Sequence, residues 1–146
     1  MAKPQPRGPL EGGRERQLKL TCMNNLLAAR EERVYFKDLL SRFLFVSAGW
    51  IAAYAPGRTA QELAGKTDFE VFSYEHASAA RKDEEQIIST GRPIVGKVER
   101  ETFKGREEAW VSTTKMPLRD ERGQIIGTFG ITRDVTAQVK AGKALA

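Results

Sequence analysis

The stretch from Glu107 to Thr136 constrains the fold more than any other part of this 146-residue chain. It consists of two runs rich in β-branched and aromatic residues on either side of the turn Asp120-Glu121-Arg122-Gly123. Such side chains favour a pleated, half-buried surface, and glycine accepts the left-handed backbone that a tight connection needs. The pattern predicts a β-hairpin that ends at Arg133-Asp134-Val135-Thr136, after which the composition becomes helical.

Length and composition indicate one domain with a single core. The chain is 40% hydrophobic and 29% charged, and no apolar run approaches the ~20 residues that cross a bilayer. Its N-terminus lacks the apolar segment of a signal peptide. We therefore expect a cytoplasmic domain with no membrane segment. The single cysteine, Cys22, excludes an internal disulfide, and no set of convergent ligands predicts a metal site.

The net charge of +5 is carried by the two ends of the chain. Residues 1–20 contain five cationic side chains against two glutamates, and residues 140–146 add Lys140 and Lys143. Residues 21–139 therefore balance. Because a nucleic-acid-binding face concentrates positive charge on the folded part of a protein, no nucleic-acid partner is predicted.

The first part of the chain predicts a leader followed by a helix. Residues 1–13 are rich in proline and glycine, as is typical of a flexible segment. Residues 14–31 predict an amphipathic helix with Leu20, Met23 and Leu27 at helical spacing. This helix could pack on its own domain or form a dimer seam, and its length does not decide between the two.

The central part predicts an α+β fold with five antiparallel strands. A first hairpin is expected over residues 34–46, then short helices capped by Ser47 and Thr59, and a longer helix from Ser73 to Thr90. A third strand from Ile94 to Phe103 leads into the C-terminal hairpin. Helices that follow one another in the middle of the chain cover one face of the sheet, which leaves the other face for a partner or a terminal helix.

Four stretches of the sequence resemble the PAS sensory domains of bacterial signalling proteins. They are VYFKDLLSRFLFVSAGW, ELAGKTDFEVF, DEEQIISTGRPIVGKVERET and WVSTTKMPLRDERGQIIGTFGITRDVT. The last is the specific one, because Arg133-Asp134-Val135-Thr136 is similar to the Asp-Ile-Thr motif that closes many PAS domains. The resemblance implies a five-stranded PAS sheet over residues 32–136 and the start of a C-terminal signalling helix over residues 137–146.

The resemblance also implies a sensor without a catalytic motif of its own. Such modules form homodimers and relay a signal to an output domain, for example a histidine kinase of a two-component system or a cyclic-dinucleotide enzyme. The predicted dimer interface combines the N-terminal helix with the outer face of the sheet. Its candidate residues are Leu20, Met23, Leu27, Trp110, Phe129 and Ile131.

Two cofactors known from PAS proteins find no support in the residues. The flavin-binding members that form a thiol adduct carry a cysteine in the short-helix region, where this chain reads AGKTDFEVF. Cys22 lies in the predicted N-terminal helix, and we expect it to be buried or half-buried. His76, the only histidine, falls about one helical turn too early for a haem ligand, so we expect it at the surface or at the end of the helix. The identity of any ligand stays open.

The resemblance to PAS members with known pocket faces, together with strand alternation, suggests which residues turn toward the helices. A cavity with two cations and several hydroxyls would suit a small carboxylate or another anion. Alternatively, Arg100 and Lys115 pair with glutamates across the sheet, or a register that differs by one residue turns them to water. The candidate pocket residues are Val98, Arg100, Val111, Thr113, Lys115 and Thr132.

Overall fold

A five-stranded antiparallel sheet in the order β2-β1-β5-β4-β3 forms the centre of the computed structural model, which describes residues 2–4, 9–103 and 106–145. The predicted α+β class is therefore confirmed. The hairpin between the last two strands contains the predicted turn, in which Gly123 has a φ of 79°. The strands are β1 (Arg33–Asp38), β2 (Phe43–Val46), β3 (Ile94–Phe103), β4 (Arg106–Arg119) and β5 (Ile125–Asp134).

Short helices and one longer helix lie on one face of this sheet, and side-chain caps define where they begin. The hydroxyl of Ser47 accepts from the Trp50 amide, and Thr59 and Ser73 cap the next two α-helices in the same way. Gly91, in the left-handed region, ends the longer helix. The helices are α1 (Pro9–Ala28), α2 (Ala48–Tyr54), α3 (Ala60–Leu63), a 3-10 turn (Asp68–Glu70), α4 (Tyr74–Thr90) and α5 (Thr136–Leu145).

Helix α1 begins at Pro9, so it includes residues 9–13 of the predicted leader. Residues 1 and 5–8 of that leader lie outside the described residues. Proline is tolerated in a first helical turn because the amide it lacks has no partner there. The thiol of Cys22 is exposed on this helix, not buried as expected. Leu20 is also exposed, whereas Met23 and Leu27 are half-buried. In the described part of the chain, no helix combines the length and apolarity needed to cross a bilayer.

An aromatic cluster between the sheet and the short helices forms the apolar core. Trp50 lies at its centre, with ring centroids 4.9 Å from Phe43, 5.1 Å from Tyr54 and 6.3 Å from Phe72, all in edge-on geometry. Leu63 of α3 completes the cluster and is fully buried. Aromatic side chains of this size dominate the burial energy of a small domain. The cluster fixes α2 and α3 against one end of the sheet.

Strand β1 approaches β5 so closely at Gly127 that the position has no room for a side chain. A Cβ atom there would overlap the carbonyl group of Lys37 on the neighbouring strand. We expect Gly127→Ala to lower the free energy of unfolding by about 3 kcal/mol, because backbone atoms cannot move aside as a flexible side chain can. Urea denaturation followed by circular dichroism measures this change.

Gly13→Ala is the matched control for this prediction. Gly13 lies on α1, and a Cβ there would meet nothing within 4 Å. Alanine in an exposed helical position should leave the stability unchanged or raise it by up to about 1 kcal/mol. Equal stability of the Gly127→Ala and Gly13→Ala proteins would contradict the close packing of β1 on β5.

Candidate functional site

A charged cavity lies between the inner face of the sheet and the helices α2 and α4. It has a volume of about 30 Å³, which is room for about two water molecules. Aromatic rings form one side of its wall, and ionisable groups form the other. The aromatic residues are Tyr35, Trp50, Tyr54 and Phe72, and the ionisable ones are Lys37, Asp68, His76, Glu84, Glu99, Glu101 and Lys115.

Lys37 of β1 lies at the bottom of this site and is only 2% exposed. Its Nζ is 2.7 Å from Asp68 Oδ2 and 2.8 Å from Glu84 Oε2, so it joins β1 to the 3-10 turn and to α4. The rings of Tyr35 and Phe43 lie 4.7 and 5.1 Å from the same ammonium group. Burial opposes the charge on Lys37, but the two carboxyl groups outweigh it and raise the lysine pKa.

A second ion-pair group closes the cavity toward β3. The Nζ of Lys115 is 3.0 Å from Asp83 Oδ2 and 3.4 Å from Glu99 Oε1, and Lys97 binds the same Asp83 oxygen at 2.7 Å. Burial opposes the charge of Lys115, but Glu99 and Asp83 raise its pKa. Although burial acts in the other direction, the hydrogen bond from Lys97 helps to lower the pKa of Asp83. The two lysines that line the cavity, Lys37 and Lys115, are therefore both neutralised by carboxylates of the protein itself.

Glu101 of β3 differs from the other carboxyl groups because it has no lysine partner among the described residues. It is 4% exposed and interacts with the Tyr54 hydroxyl, while His76 Nε2 lies 4.0 Å from its Oε2. No described group hydrogen-bonds to its Oε1 atom. Burial raises the pKa of Glu101 to about 8, and burial also lowers the pKa of His76. At neutral pH both groups are therefore largely uncharged.

Four of the six predicted pocket residues lie on the inner face as expected. Val111 is fully buried there, and Thr113, Lys115 and Thr132 line the cavity itself. The two threonine hydroxyls are 3.3 Å apart across the β4–β5 ladder. These four side chains share the face of the hairpin turned toward the helices, because alternation is regular over the part of β4 beside the cavity.

Val98 and Arg100 lie on the opposite face, so their predicted place in the pocket is corrected. Ile94 pairs with Lys115 and Lys97 with Thr113, so three residues of β3 span two of β4. This bulge includes Gly96, whose φ of 61° suits glycine, and the extra residue reverses the alternation that follows. Glu99 and Glu101 consequently face the cavity. Arg100 pairs with Glu108 on the outer face, and Lys115 pairs with Glu99, as the alternative interpretation of the sequence anticipated.

Several residues of the site were not predicted from the sequence. Lys37 lies in a strand that also contains apolar residues, and a lysine in such a strand would be expected to face water. Its partners Asp68 and Glu84 are 31 and 47 residues away, so only the fold brings them together. His76 lies at the start of α4 as expected, but it is buried against the ring of Phe72 and not at the surface. The one signal was strand alternation, because Lys37 lies two residues after Tyr35 and therefore points to the same face of the sheet.

The predicted exit motif forms a tied junction between β5 and α5. The Asp134 Oδ1 atom accepts from the Thr136 amide at 2.8 Å, which lowers the aspartate pKa. The Thr136 hydroxyl accepts from the Trp110 amide at 2.9 Å and donates to the Trp110 carbonyl at 3.3 Å. Thr136 therefore fastens the first turn of α5 to β4. Arg33 lies 3.8 Å from Asp134, while Arg133 is exposed.

The outer face of the sheet carries the other predicted group of residues. Phe129 stacks on Phe36 with a centroid distance of 5.5 Å, and Ile131 is 37% exposed. Trp110 is half-buried and pairs with Arg100 across the β3–β4 ladder. Among the described side chains, no group of three or more His, Cys, Asp or Glu residues is arranged to hold a metal ion.

Comparison with known proteins assigns the fold family. A sequence model described as PAS fold matches residues 27–140, which is most of the chain. The chain belongs to this family, and the resemblance drawn from its sequence is confirmed. The methanogenesis regulatory histidine kinase FilI of Methanothrix harundinacea (strain 6Ac) is 34% identical over 137 residues, which cover 86% of this chain and 15% of the kinase.

Solved structures share the same fold at low sequence identity. The VqmA dimer of Vibrio cholerae aligns with a TM-score of 0.69 and 24% identity, over 81% of this chain and 52% of that one. The PAS domain of a Colwellia psychrerythraea protein aligns with a TM-score of 0.65 and 16% identity, over 82% and 98% of the two chains. The chain therefore spans about half the length of VqmA and a small part of the kinase.

The ion-pair network around Lys37 should be essential for stability. Lys37→Met removes the cation and leaves Asp68 and Glu84 buried beside each other. Loss of one partner from a buried ion pair costs about 3–5 kcal/mol, so we expect a decrease of that size in the free energy of unfolding. Urea denaturation at pH 7 measures it.

Arg42→Met is the matched control for the Lys37 substitution. Arg42 pairs with Asp38 at 2.7 Å, but its side chain is 50% exposed. An exposed pair contributes less than about 1 kcal/mol, so this variant should unfold at nearly the wild-type urea concentration. If Lys37→Met were no less stable than Arg42→Met, the buried network would not hold the helices on the sheet.

Proposed function

We propose that this PAS domain is a sensor module that transmits the state of its cavity to helix α5. The observation that carries this proposal is a continuous series of polar contacts from the cavity to the start of that helix. The Glu101 carboxyl group interacts with the Tyr54 hydroxyl, which accepts from Arg33 Nη1 at 3.3 Å. Arg33 then reaches Asp134, whose carboxylate accepts from the first amide of α5.

Each member of this series belongs to a different element, so a change at the cavity can shift several elements in turn and reach α5. Glu101 lies on β3, Tyr54 at the end of α2, Arg33 at the start of β1 and Asp134 at the end of β5. Arg33 also lies 5.3 Å from the Tyr54 ring centroid, which holds the guanidinium group over the aromatic face. A ligand that reorients Glu101 would change the contacts of Tyr54 and thereby bias the orientation of α5.

A regulatory function agrees best with the family and with the relative, of which this chain matches 15%. The FilI relative is a histidine kinase, which favours a kinase-type output over a cyclic-dinucleotide enzyme for the signal leaving α5. Both lysines of the cavity are held in ion pairs, an arrangement suited to binding and to conformational change. The exposed thiol of Cys22 suits the reducing cytoplasm.

We further propose that two copies associate through the outer sheet face and α1. Ile131 and Val98 are 37% and 55% exposed on that face, and Leu18 and Leu20 are 63% and 53% exposed on α1. Exposed apolar side chains on two surfaces of a small domain are candidates for an interaction site. A second copy is the occupant we favour, since each copy would offer both surfaces to the other in a twofold arrangement.

Substitutions along the proposed relay should loosen α5, and both leave the aromatic rings of the core in place. Tyr54→Phe removes the hydroxyl that joins Glu101 to Arg33, and Arg33→Met removes the link to Asp134. A hydrogen bond contributes about 0.5–1.5 kcal/mol net, so amides of residues 136–145 should exchange about two- to tenfold faster in each variant. Hydrogen exchange followed by mass spectrometry reads this segment directly.

The double variant and a control distinguish a relay from separate local effects. If both residues act in one series, Tyr54→Phe with Arg33→Met should accelerate exchange no more than the stronger single variant. Arg42→Met, which removes an exposed ion pair of the first hairpin, should leave α5 unchanged. Additive effects of the two substitutions, or wild-type exchange in both, would exclude the relay.

The dimer is tested by placing a charge on the outer face. Ile131→Asp should raise the dimer dissociation constant at least tenfold, because a buried unpaired carboxylate is costly. Leu40→Asp serves as the control, since Leu40 is 58% exposed in the turn between β1 and β2. Sedimentation velocity over a concentration series measures both. A wild-type protein that is monomeric throughout, or an Ile131→Asp dimer as stable as wild type, would contradict this interface.

A further inference from the structure

The cavity wall carries more carboxyl groups than ammonium groups. Asp68, Glu84, Glu99 and Glu101 line it against Lys37 and Lys115, an excess of two acidic groups. The ion pair just behind the wall does not change this balance, because Asp83 and Lys97 neutralise each other. The excess argues against the small anion suggested by the sequence, since both lysines of the wall are already paired with carboxylates and neither is left for an anion.

Glu101 is the place where this excess is not satisfied internally. Its Oε1 has no hydrogen-bond partner among the described residues, although the side chain is 4% exposed and lies at the cavity. Buried polar atoms without a partner are rare in native structures, and a missing ligand or water is a common reason. Once Glu101 is ionised, this oxygen is an acceptor without a donor among the described residues.

The remaining wall suits a positively charged donor. The rings of Trp50, Tyr54 and Phe72 line the same cavity as the Glu101 carboxyl group. Aromatic faces combined with a carboxylate are the surroundings that stabilise an ammonium group. The same combination already surrounds the ammonium of Lys37, which has Tyr35 and Phe43 beside two carboxyl groups. The surroundings of Glu101 thus combine aromatic rings with a carboxyl group, as do the surroundings of the buried ammonium group of Lys37.

We propose that the cavity binds the primary ammonium group of a small organic amine, with Glu101 as its counter-ion. The cavity volume of about 30 Å³ admits the ammonium group alone. A cleft of about 310 Å³ between α4 and β3 shares His76 and Glu99 with the cavity, and it provides space for the rest of the ligand. This inference takes the cavity as the sensing site of the proposed function and adds the chemical class of ligand.

Binding of an amine must release a proton from the protein near neutral pH. Burial raises the pKa of Glu101 to about 8, so the group is protonated below that pH and must ionise to pair with a cation. The affinity should therefore rise about tenfold between pH 7 and pH 9 and level off above the pKa. The titratable or charged groups that face Glu101 are Arg33 on β1, Tyr54 on α2, Asp68 in the 3-10 turn, His76 on α4 and Glu99 on β3.

Methylammonium chloride, titrated into the 146-residue chain at constant ionic strength, tests the proposal. The methyl signals of Thr113 and Thr132, which line the cavity, should shift in ¹H–¹³C spectra and saturate, whereas potassium acetate should leave them unchanged. Glu101→Gln keeps the shape of the side chain and should weaken binding at least tenfold. Glu108→Gln, at an exposed position paired with Arg100, should bind within twofold of wild type.

Several results would overturn the amine site. These are saturable binding of acetate in place of methylammonium, wild-type affinity in Glu101→Gln, or an affinity that is flat or falls between pH 7 and pH 9. The pH series uses the wild-type protein and therefore decides the question even if Glu101→Gln fails to fold. The relay experiment contains no ligand, so an intact relay without amine binding would refute this inference alone.

Discussion

The structure depends above all on a buried ammonium group that must be neutralised. Lys37 lies near the end of β1, and its charge is tolerated there only because Asp68 and Glu84 reach it from the 3-10 turn and from α4. A buried ion pair adds little net stability compared with apolar packing, but its geometry permits few alternatives. The pairs therefore determine where α4 lies on the sheet. The aromatic cluster around Trp50 supplies the apolar burial that holds the rest.

The β4–β5 hairpin serves two environments at once because successive side chains of a strand point to opposite faces. Thr113 and Thr132 meet over the cavity, while Phe129 and Ile131 lie on the outer face. At its end, Thr136 ties the first turn of α5 back to the backbone of Trp110. The cavity wall, the outer face and the start of α5 thus share the same two strands, and only a few residues separate them.

The fold followed from local signals, whereas the chemistry of the cavity did not. Capping residues such as Ser47 and Ser73, the Gly91 stop and the turn at Gly123 are short-range features, and all of them act as their residue types predict. The inner residues of β4 and β5 followed from uninterrupted alternation. On β3, a single extra residue at Gly96 reversed the alternation, so Val98 was assigned inward and Glu101 was missed. Lys37 and its partners are joined only in three dimensions.

The position of β3 at the edge of the sheet has a consequence for how this domain can change over time. Glu99 and Glu101 lie on a strand with one neighbour, whereas Lys37 and Lys115 lie on strands paired on both sides. Replacement of an acidic residue on β3 disturbs one ladder of hydrogen bonds and leaves the central strands intact. A descendant of this protein could therefore change the charge of the cavity by substitutions in one peripheral strand, while the scaffold and the junction between β5 and α5 are inherited unaltered.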